Sequence, residues 1–270
     1  MIRSLYSGAS GMKNHQIRMD VIGNNIANVN TTGFKGSRAN FQDVLYQTVR
    51  YASPAEEGIS GGINPSQVGL GVMVSSITNN TGQGGLQNTG RSLDLAVNGN
   101  GWYILKPDAN SDIRYYSREG VFYIDNNGNM VNSNGEFLCD TSGEAINLGT
   151  AGISTITIGK DGYISYTTLD GSENKNAFQI GLAMFPNQDG LERLGQNRYK
   201  VSPTSGDPLE IGMPGSGGYG TINSGFLEMS NVDLTDEFTS MITTQRGYQA
   251  NARTVTTSDQ MLEELLNIKR

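Results

Sequence analysis

The twelve residues DNNGNMVNSNGE (125–136) place Asp125, Asn127 and Asn129 at alternate positions and Glu136 at the twelfth. That spacing of oxygen donors echoes a calcium loop, whose sixth residue must be glycine to allow its sharp turn. The sixth residue here is Met130. Two Asn-Gly hairpin turns account for the same residues without an ion, so no metal site is expected. His15 is the only histidine and Cys139 the only cysteine. One of each builds neither a zinc set nor a nucleophile–base–orienter triad, and a lone cysteine excludes an internal disulfide framework. His15 is expected to pack, and Cys139, following EFL in a strand or turn, to act as a small apolar filler. The pairs Gly69/Gly71 and Gly99/Gly101 do not open helices, which argues against phosphate binding. No catalytic, cofactor-binding or metal-binding residue is identified, and the chain is read as a non-enzyme.

The remaining polar chemistry is amide chemistry. NNIANVNTTGFK (24–35) carries four asparagines within seven positions, at the end of a helical pattern. Asparagine inside a helix costs roughly 0.5 kcal/mol relative to alanine. Asn24 and Asn28 lie four apart on one face, able to hydrogen-bond to a neighbour and to fix its register. The other reading is that these residues fray the helix end and prepare a turn at Gly33. Both readings stay open on the sequence.

The elements that must position these groups are of two kinds. Residues 1–32 repeat every seven positions, with Leu5, Met12, Met19 and Ile26 in one column and Gly8, His15, Ile22 and Val29 in another. Residues 234–269 do the same, with Leu234, Met241, Tyr248, Val255 and Leu262 beside Phe238, Gln245, Ala252, Asp259 and Leu266. Several consecutive heptads at each end predict coiled-coil packing. Asp233, Asp236 and Glu237 mark the start of the second helix, and Gly33 is expected to stop the first in a left-handed conformation.

Between the ends the period falls to two. WYILK (102–106), YYSREGVFYID (115–125), ISTITIG (153–159), YISYTTL (163–169) and AFQIGLAMF (177–185) predict strands. Asn127-Gly128, Asn134-Gly135 and Asp161-Gly162 predict the hairpin turns between them. Stretches 52–92 and 203–225, rich in Gly, Ser, Asn and Pro, read as long extended connectors. The fold class is therefore mixed and nested: terminal α-helices form a coiled-coil-like domain around an antiparallel, mainly β central domain, joined by extended connectors. The expected divisions are 1–32 with 230–270 for the helices, 33–87 with 206–229 for the connectors, and 88–205 for the β domain.

Composition narrows the partners. Of 270 residues, 36% are hydrophobic, 17% charged and 36 in number are glycine, a turn-rich profile with a weakly charged surface. The net charge is −7 without a Lys/Arg cluster, so phosphate-backbone binding has little to work with and nucleic acid is not an expected partner. The chain has no run of 18 apolar residues to span a membrane, and MIRSLYSGASGMKNHQ lacks the apolar core of a cleavable signal peptide. A soluble protein is expected, exported, if at all, without that signal. Ile2, Ile17, Val21, Ile242, Met261, Leu265 and Ile268 lie outside the heptad columns and widen the apolar face of both helices. A helix apolar on more than one side is buried by several neighbours, and other copies of the chain are the neighbours expected, with the termini ordering on polymerisation. The expected assembly interface is Leu5, Met12, Met19, Ile22, Asn24, Asn25, Ile26, Asn28, Val29, Leu234, Phe238, Met241, Gln245, Tyr248, Ala252, Val255, Leu262 and Leu266.

DVIGNNIANVNTTGFK (20–35) and the C-terminal stretch from Ser230 to Arg270 resemble the signatures of the bacterial flagellar rod and hook protein family. GGINPSQVGLGV (61–72), TGRSLDLAVNGNGWY (89–103) and YSREGVFYIDNNGNMV (116–131) are similar to its central motifs, in order. The Asn-Pro of the first of these, with the endings TTQRGYQAN and LNIKR, looks more like a hook-type member; the short chain keeps a distal-rod-type member as the alternative. The resemblance implies a homopolymer forming a helical tube, its terminal helices lining a channel and its β domain facing outward. It implies torque transmission without reaction or cofactor. As partners it implies other rod proteins, hook–filament junction proteins, a hook cap during assembly and the flagellar type III export apparatus. The implied location is the flagellum.

Overall fold

The computed structural model describes residues 2–54, 61–109, 111–149, 152–169 and 171–268. Part of the first connector (55–60) and the final Lys269 and Arg270 of the LNIKR ending lie outside the described residues. The chain divides into two compact units, each crossed more than once by the sequence.

One unit comprises residues 1–27, 37–79 and 233–270. It contains the two long helices, α1 (Ile2–Ala27) and α2 (Leu234–Ile268). Asp233 starts α2 as expected: its side-chain oxygen accepts the Thr235 N–H at 2.8 Å, satisfying a donor that a helix start leaves free, and its carbonyl accepts the Glu237 N–H at 3.0 Å as the first bond of the helix. α1 ends at Ala27, earlier than the heptad pattern extends. Asn28 makes a turn there, its carbonyl accepting the Thr31 N–H and its amide oxygen the Thr31 hydroxyl, each at 3.1 Å. Gly33 is therefore not the helix stop. It does take a left-handed conformation (φ 69°), but a Cβ there would meet the Arg118–Glu119 backbone at 2.6–2.7 Å; its smallness serves close approach inside the other unit.

Much of the stretch expected as connector is paired rather than loose. Ser37–Asp43 pairs antiparallel with Val72–Asn79, with a bulge between Asn40 and Phe41, and Tyr46–Arg50 pairs with Ser66–Gly69. These ribbons belong to the helical unit. Their Gly- and Asn-rich composition masks short alternating runs such as VMVSSI, which is why the turn signals dominate the reading.

The second unit comprises residues 28–36 and 80–232. Its main sheet is eight-stranded and antiparallel, centred on Trp102–Lys106, which pairs with Tyr115–Ser117 on one side and with Phe137–Leu138 and Leu182–Ala183 on the other. Tyr103 and Leu105 join one apolar cluster with Leu95, Phe122, Met130 and Leu138; Trp102 and Ile104 join a second with Tyr116, Phe185 and Tyr199. A strand buried on both faces reads as a continuous apolar run, as WYILK does. Ile153–Ile158, Tyr163–Thr168 and Glu173–Gln179 form a separate three-stranded sheet. AFQIGLAMF divides between that sheet and the main one, because the chain turns away at Gly181, where any Cβ would sit 2.4 Å from the Asp140 carbonyl oxygen. Gly128, Gly135 and Gly162 all take positive φ, as their hairpin turns require.

Candidate assembly interface

α1 and α2 lie antiparallel, and small residues set how closely they approach. A Cβ on Gly8 would stand 2.8 Å from the Thr254 hydroxyl and 3.0 Å from Val255; one on Gly11 would stand 2.6 Å from the Asn251 side chain; one on Gly247 would stand 2.7 Å from the His15 ring. The Ser4 and Ser258 hydroxyls face each other at 3.4 Å, and Thr244 and Ser258 are the buried residues of α2. At its closest approaches the face of α2 turned to α1 is small or polar, through Gly247, Asn251, Thr254 and Ser258, with Val255 the apolar exception.

The expected interface residues divide accordingly. Ile22 is buried, and Leu5, Met12, Met19, Ile26, Met241, Ala252, Val255 and Leu262 are half-buried. Leu234, Phe238, Gln245, Tyr248 and Leu266 are exposed, as are Ile2, Tyr6, Ile242, Met261, Leu265 and Ile268. Val29 lies beyond the end of α1 and is half-buried. The ribbons add exposed Leu45, Tyr46, Val49 and Val68. Large apolar side chains exposed in this number on one unit are candidates for association.

The asparagines at the end of α1 take different positions. Asn24 is exposed and Asn28 serves the turn after α1, whereas Asn25 is almost fully buried. Its amide nitrogen donates to the Ser37 carbonyl at 2.8 Å and to Glu237 Oε1 at 2.9 Å, and its amide oxygen accepts the Ser37 N–H at 3.0 Å. One side chain thereby ties the end of α1, the first ribbon strand and the first turn of α2. Its position three residues after Ile22, on the inward face, is the signal that marks it. Asn14, also buried, donates to the Val72 carbonyl. His15 presents its ring edge-on to Phe41, centroids 5.8 Å apart. Burial, helped by the Arg18 charge, holds its pKa below the ordinary histidine value.

In the β unit, the residues of the calcium-like stretch are used as turns and anchors. Asp125 accepts the Asn126 N–H at 2.7 Å, and Asn129 accepts the Asn147 amide at 2.8 Å. The Glu136 carboxylate is taken by Arg198 at 2.7 Å and by the Asn132 amide at 2.8 Å, and Met130 is in the core. Cys139 packs in the second apolar cluster, where burial pushes its thiol up to about 11.

The sequence reading missed a buried charge cluster in this unit. Lys35 Nζ lies 2.6 Å from Glu228 Oε1 and Arg118 Nη1 3.2 Å from Glu228 Oε2, all three side chains being at most 2% exposed. Lys35 also donates to the Gly82 carbonyl at 2.8 Å, Arg118 to the Gly99 carbonyl at 2.9 Å, and the Gly84 N–H donates to Glu228 at 2.9 Å. Arg193 lies over the Phe34 ring at 5.2 Å, with its guanidinium donating to the Lys35 carbonyl. Only the long sequence separations hide this cluster: each member stands in a stretch quoted above or beside one.

Three family models match the chain. Residues 5–35 match "Flagella basal body rod protein", residues 96–166 "Flagellar hook protein FlgE/F/G D1 domain", and residues 223–268 "Flagellar basal body rod FlgEFG protein C-terminal". Flagellar basal-body rod protein FlgG of Bacillus subtilis is 47% identical over 270 residues, covering all of both chains. Its namesake in Borreliella burgdorferi is 38% identical over 275 residues, again covering both in full. The flagellar hook protein FlgE of Borreliella burgdorferi is 29% identical over 446 aligned residues.

Proposed function

The chain belongs to the flagellar rod and hook protein family FlgE/F/G, and on that premise we propose that it is a distal rod subunit of the flagellar basal body. In this reading copies of the chain assemble into a straight axial shaft that carries torque, a mechanical role without a reaction or a cofactor. The observation that carries it is full-length similarity: 47% identity to a rod protein over 270 residues, against 29% to a hook protein over an alignment of 446. The preference for a hook-type member drawn from Asn64-Pro65 and the endings TTQRGYQAN and LNIKR gives way here. Those motifs sample few positions, and whole-chain identity samples all of them.

The exposed apolar side chains of α2, such as Leu234, Phe238, Tyr248 and Leu266, with Ile2 and Tyr6 of α1, support polymerisation, because large side chains left in water by one copy need another copy to cover them. Partners in this reading are other copies and the neighbouring axial proteins of rod and hook. In this reading export runs through the flagellar type III apparatus. Among the described residues no helix is long and apolar enough to cross a membrane. Gold-labelled antibody on isolated hook–basal bodies tests the assignment. Label along the straight axial shaft is expected; label confined to the curved external segment would return the chain to the hook.

A further inference from the structure

The charge cluster of the β unit joins partners far apart in the chain: Lys35 and Glu228 are separated by 193 positions and Arg118 and Glu228 by 110. Glu228 ends the short strand Phe226–Glu228, which pairs with Leu86–Asn88, and its carbonyl accepts the Gly33 N–H at 2.8 Å. One residue therefore touches the entering segment around Gly33–Lys35, the Gly82–Leu86 segment and Arg118. We propose that Glu228 is the tongue of a late-closing latch: the returning strand brings the carboxylate that lets the β unit bury Lys35 and Arg118, and the unit stays open until that strand docks.

Two arguments carry this. A buried ion is tolerated only when paired and hydrogen-bonded, and removing one partner leaves an uncompensated charge in a dry interior. Lys35 and Arg118 are fully enclosed, and both bond to the same carboxylate. Burial, with the Arg118 charge beside it, holds the Lys35 pKa below the ordinary lysine value despite the Glu228 carboxylate. Moreover, contacts across long sequence separations are reached only after the loop entropy between them has been met, which places them late in folding. The other core pairings around Trp102, such as Tyr103 with Ser117 and Leu105 with Leu138, are closer in sequence and need nothing from the return strand.

The single tryptophan reports on the latch directly. Trp102 is buried in the β unit, with the Arg118 guanidinium 5.4 Å from its ring centroid and Tyr199 at 4.7 Å. The experiment is stopped-flow unfolding and refolding of the full chain, read by Trp102 fluorescence, with Glu228→Gln as the variant. If the latch closes late, Glu228→Gln accelerates unfolding by about tenfold or more and leaves the refolding rate within about twofold. Refolding slowed as much as unfolding is accelerated overturns the proposal, because the cluster then belongs to the nucleus. No change in either rate overturns it as well. If Glu228→Gln does not refold, Glu228→Asp, which keeps the charge but draws the carboxylate back from Lys35 and Arg118, carries the same test. Faster unfolding at unchanged refolding supports the latch; slower refolding, or no change, removes it.

Discussion

Gly8 and Gly23 are both interior to α1, and replacing each by alanine separates helix propensity from packing. Gly23 has open space where a Cβ would be, with no atom within 4 Å. Gly23→Ala should therefore collect the propensity gain alone, about 1 kcal/mol, raising the melting temperature of a domain of roughly 100 residues by about 4–8 °C. Gly8→Ala collects the same gain but sets its methyl 2.8 Å from the Thr254 hydroxyl and 3.0 Å from Val255. Both neighbours are β-branched and stiff, and the Thr254 hydroxyl is already committed to the Asn251 carbonyl at 2.7 Å. Overpacking of this kind costs about 1–3 kcal/mol, so the net effect is a loss of up to about 2 kcal/mol. Thermal melting of dilute protein by far-ultraviolet circular dichroism measures both, since α1 and α2 supply nearly all the helix. Gly8→Ala melting as high as Gly23→Ala would refute the reasoning. The helices would then not be paired at Gly8 in the free chain, as termini that order only on polymerisation would require.

Asn25→Ala strips the Ser37 N–H and carbonyl of their side-chain partner and Glu237 of its donor; a loss of about 2–3 kcal/mol is expected, with the Ser37 amide exchanging faster with solvent, and unchanged exchange there would count against the clamp. His15 has its folded pKa depressed, so below the ordinary value near 6.5 the unfolded chain takes up a proton that the folded one resists. Stability of the helical unit should therefore fall as pH drops from about 7 to about 5, and His15→Gln should flatten that slope; an equal slope in both proteins would remove His15 from the account. Phe238→Ser with Leu266→Ser, at side chains 50% and 69% exposed, should leave the melting curve of the free chain unchanged and abolish sedimentable polymer; normal polymer growth would exclude that face of α2 from assembly. Cys139, its thiol raised from 9.0 to about 11, should react with maleimide at least about 100-fold more slowly in the folded chain than in denaturant, and equal rates would contradict its placement in the core.

What the residue pattern makes legible follows the range of each interaction. Strands such as Trp102–Lys106 and turns such as Asn127-Gly128 are set by neighbours a few positions away, and both are legible from local signals, a short apolar run and an Asn-Gly pair. The heptads locate two helices, but Val29 and Gly33 fall outside α1 because Asn28 and Thr31 close a turn first. The ribbons escape because their strands are short and lie among glycines. The Lys35–Glu228–Arg118 cluster is illegible for another reason: no window of sequence contains two of its members, and an isolated Lys or Glu reads as a solvated charge.

The helix seam shows why the heptad columns, though real, do not name their partner. Apolar spacing reports which side chains seek burial, not against what. Within one chain α1 approaches α2 where side chains are least, at Gly8, Gly11 and Gly247, because backbones come close only where no Cβ intervenes. Close approach through small residues uses up little of the apolar surface, which leaves Phe238, Tyr248, Leu265 and Leu266 outward. A chain built to stand alone would gain by turning those residues inward and its serines and threonines out. The reverse arrangement, with small and polar side chains turned inward and large apolar ones outward, is what the proposed subunit needs for neighbouring copies to complete the core of its helical unit.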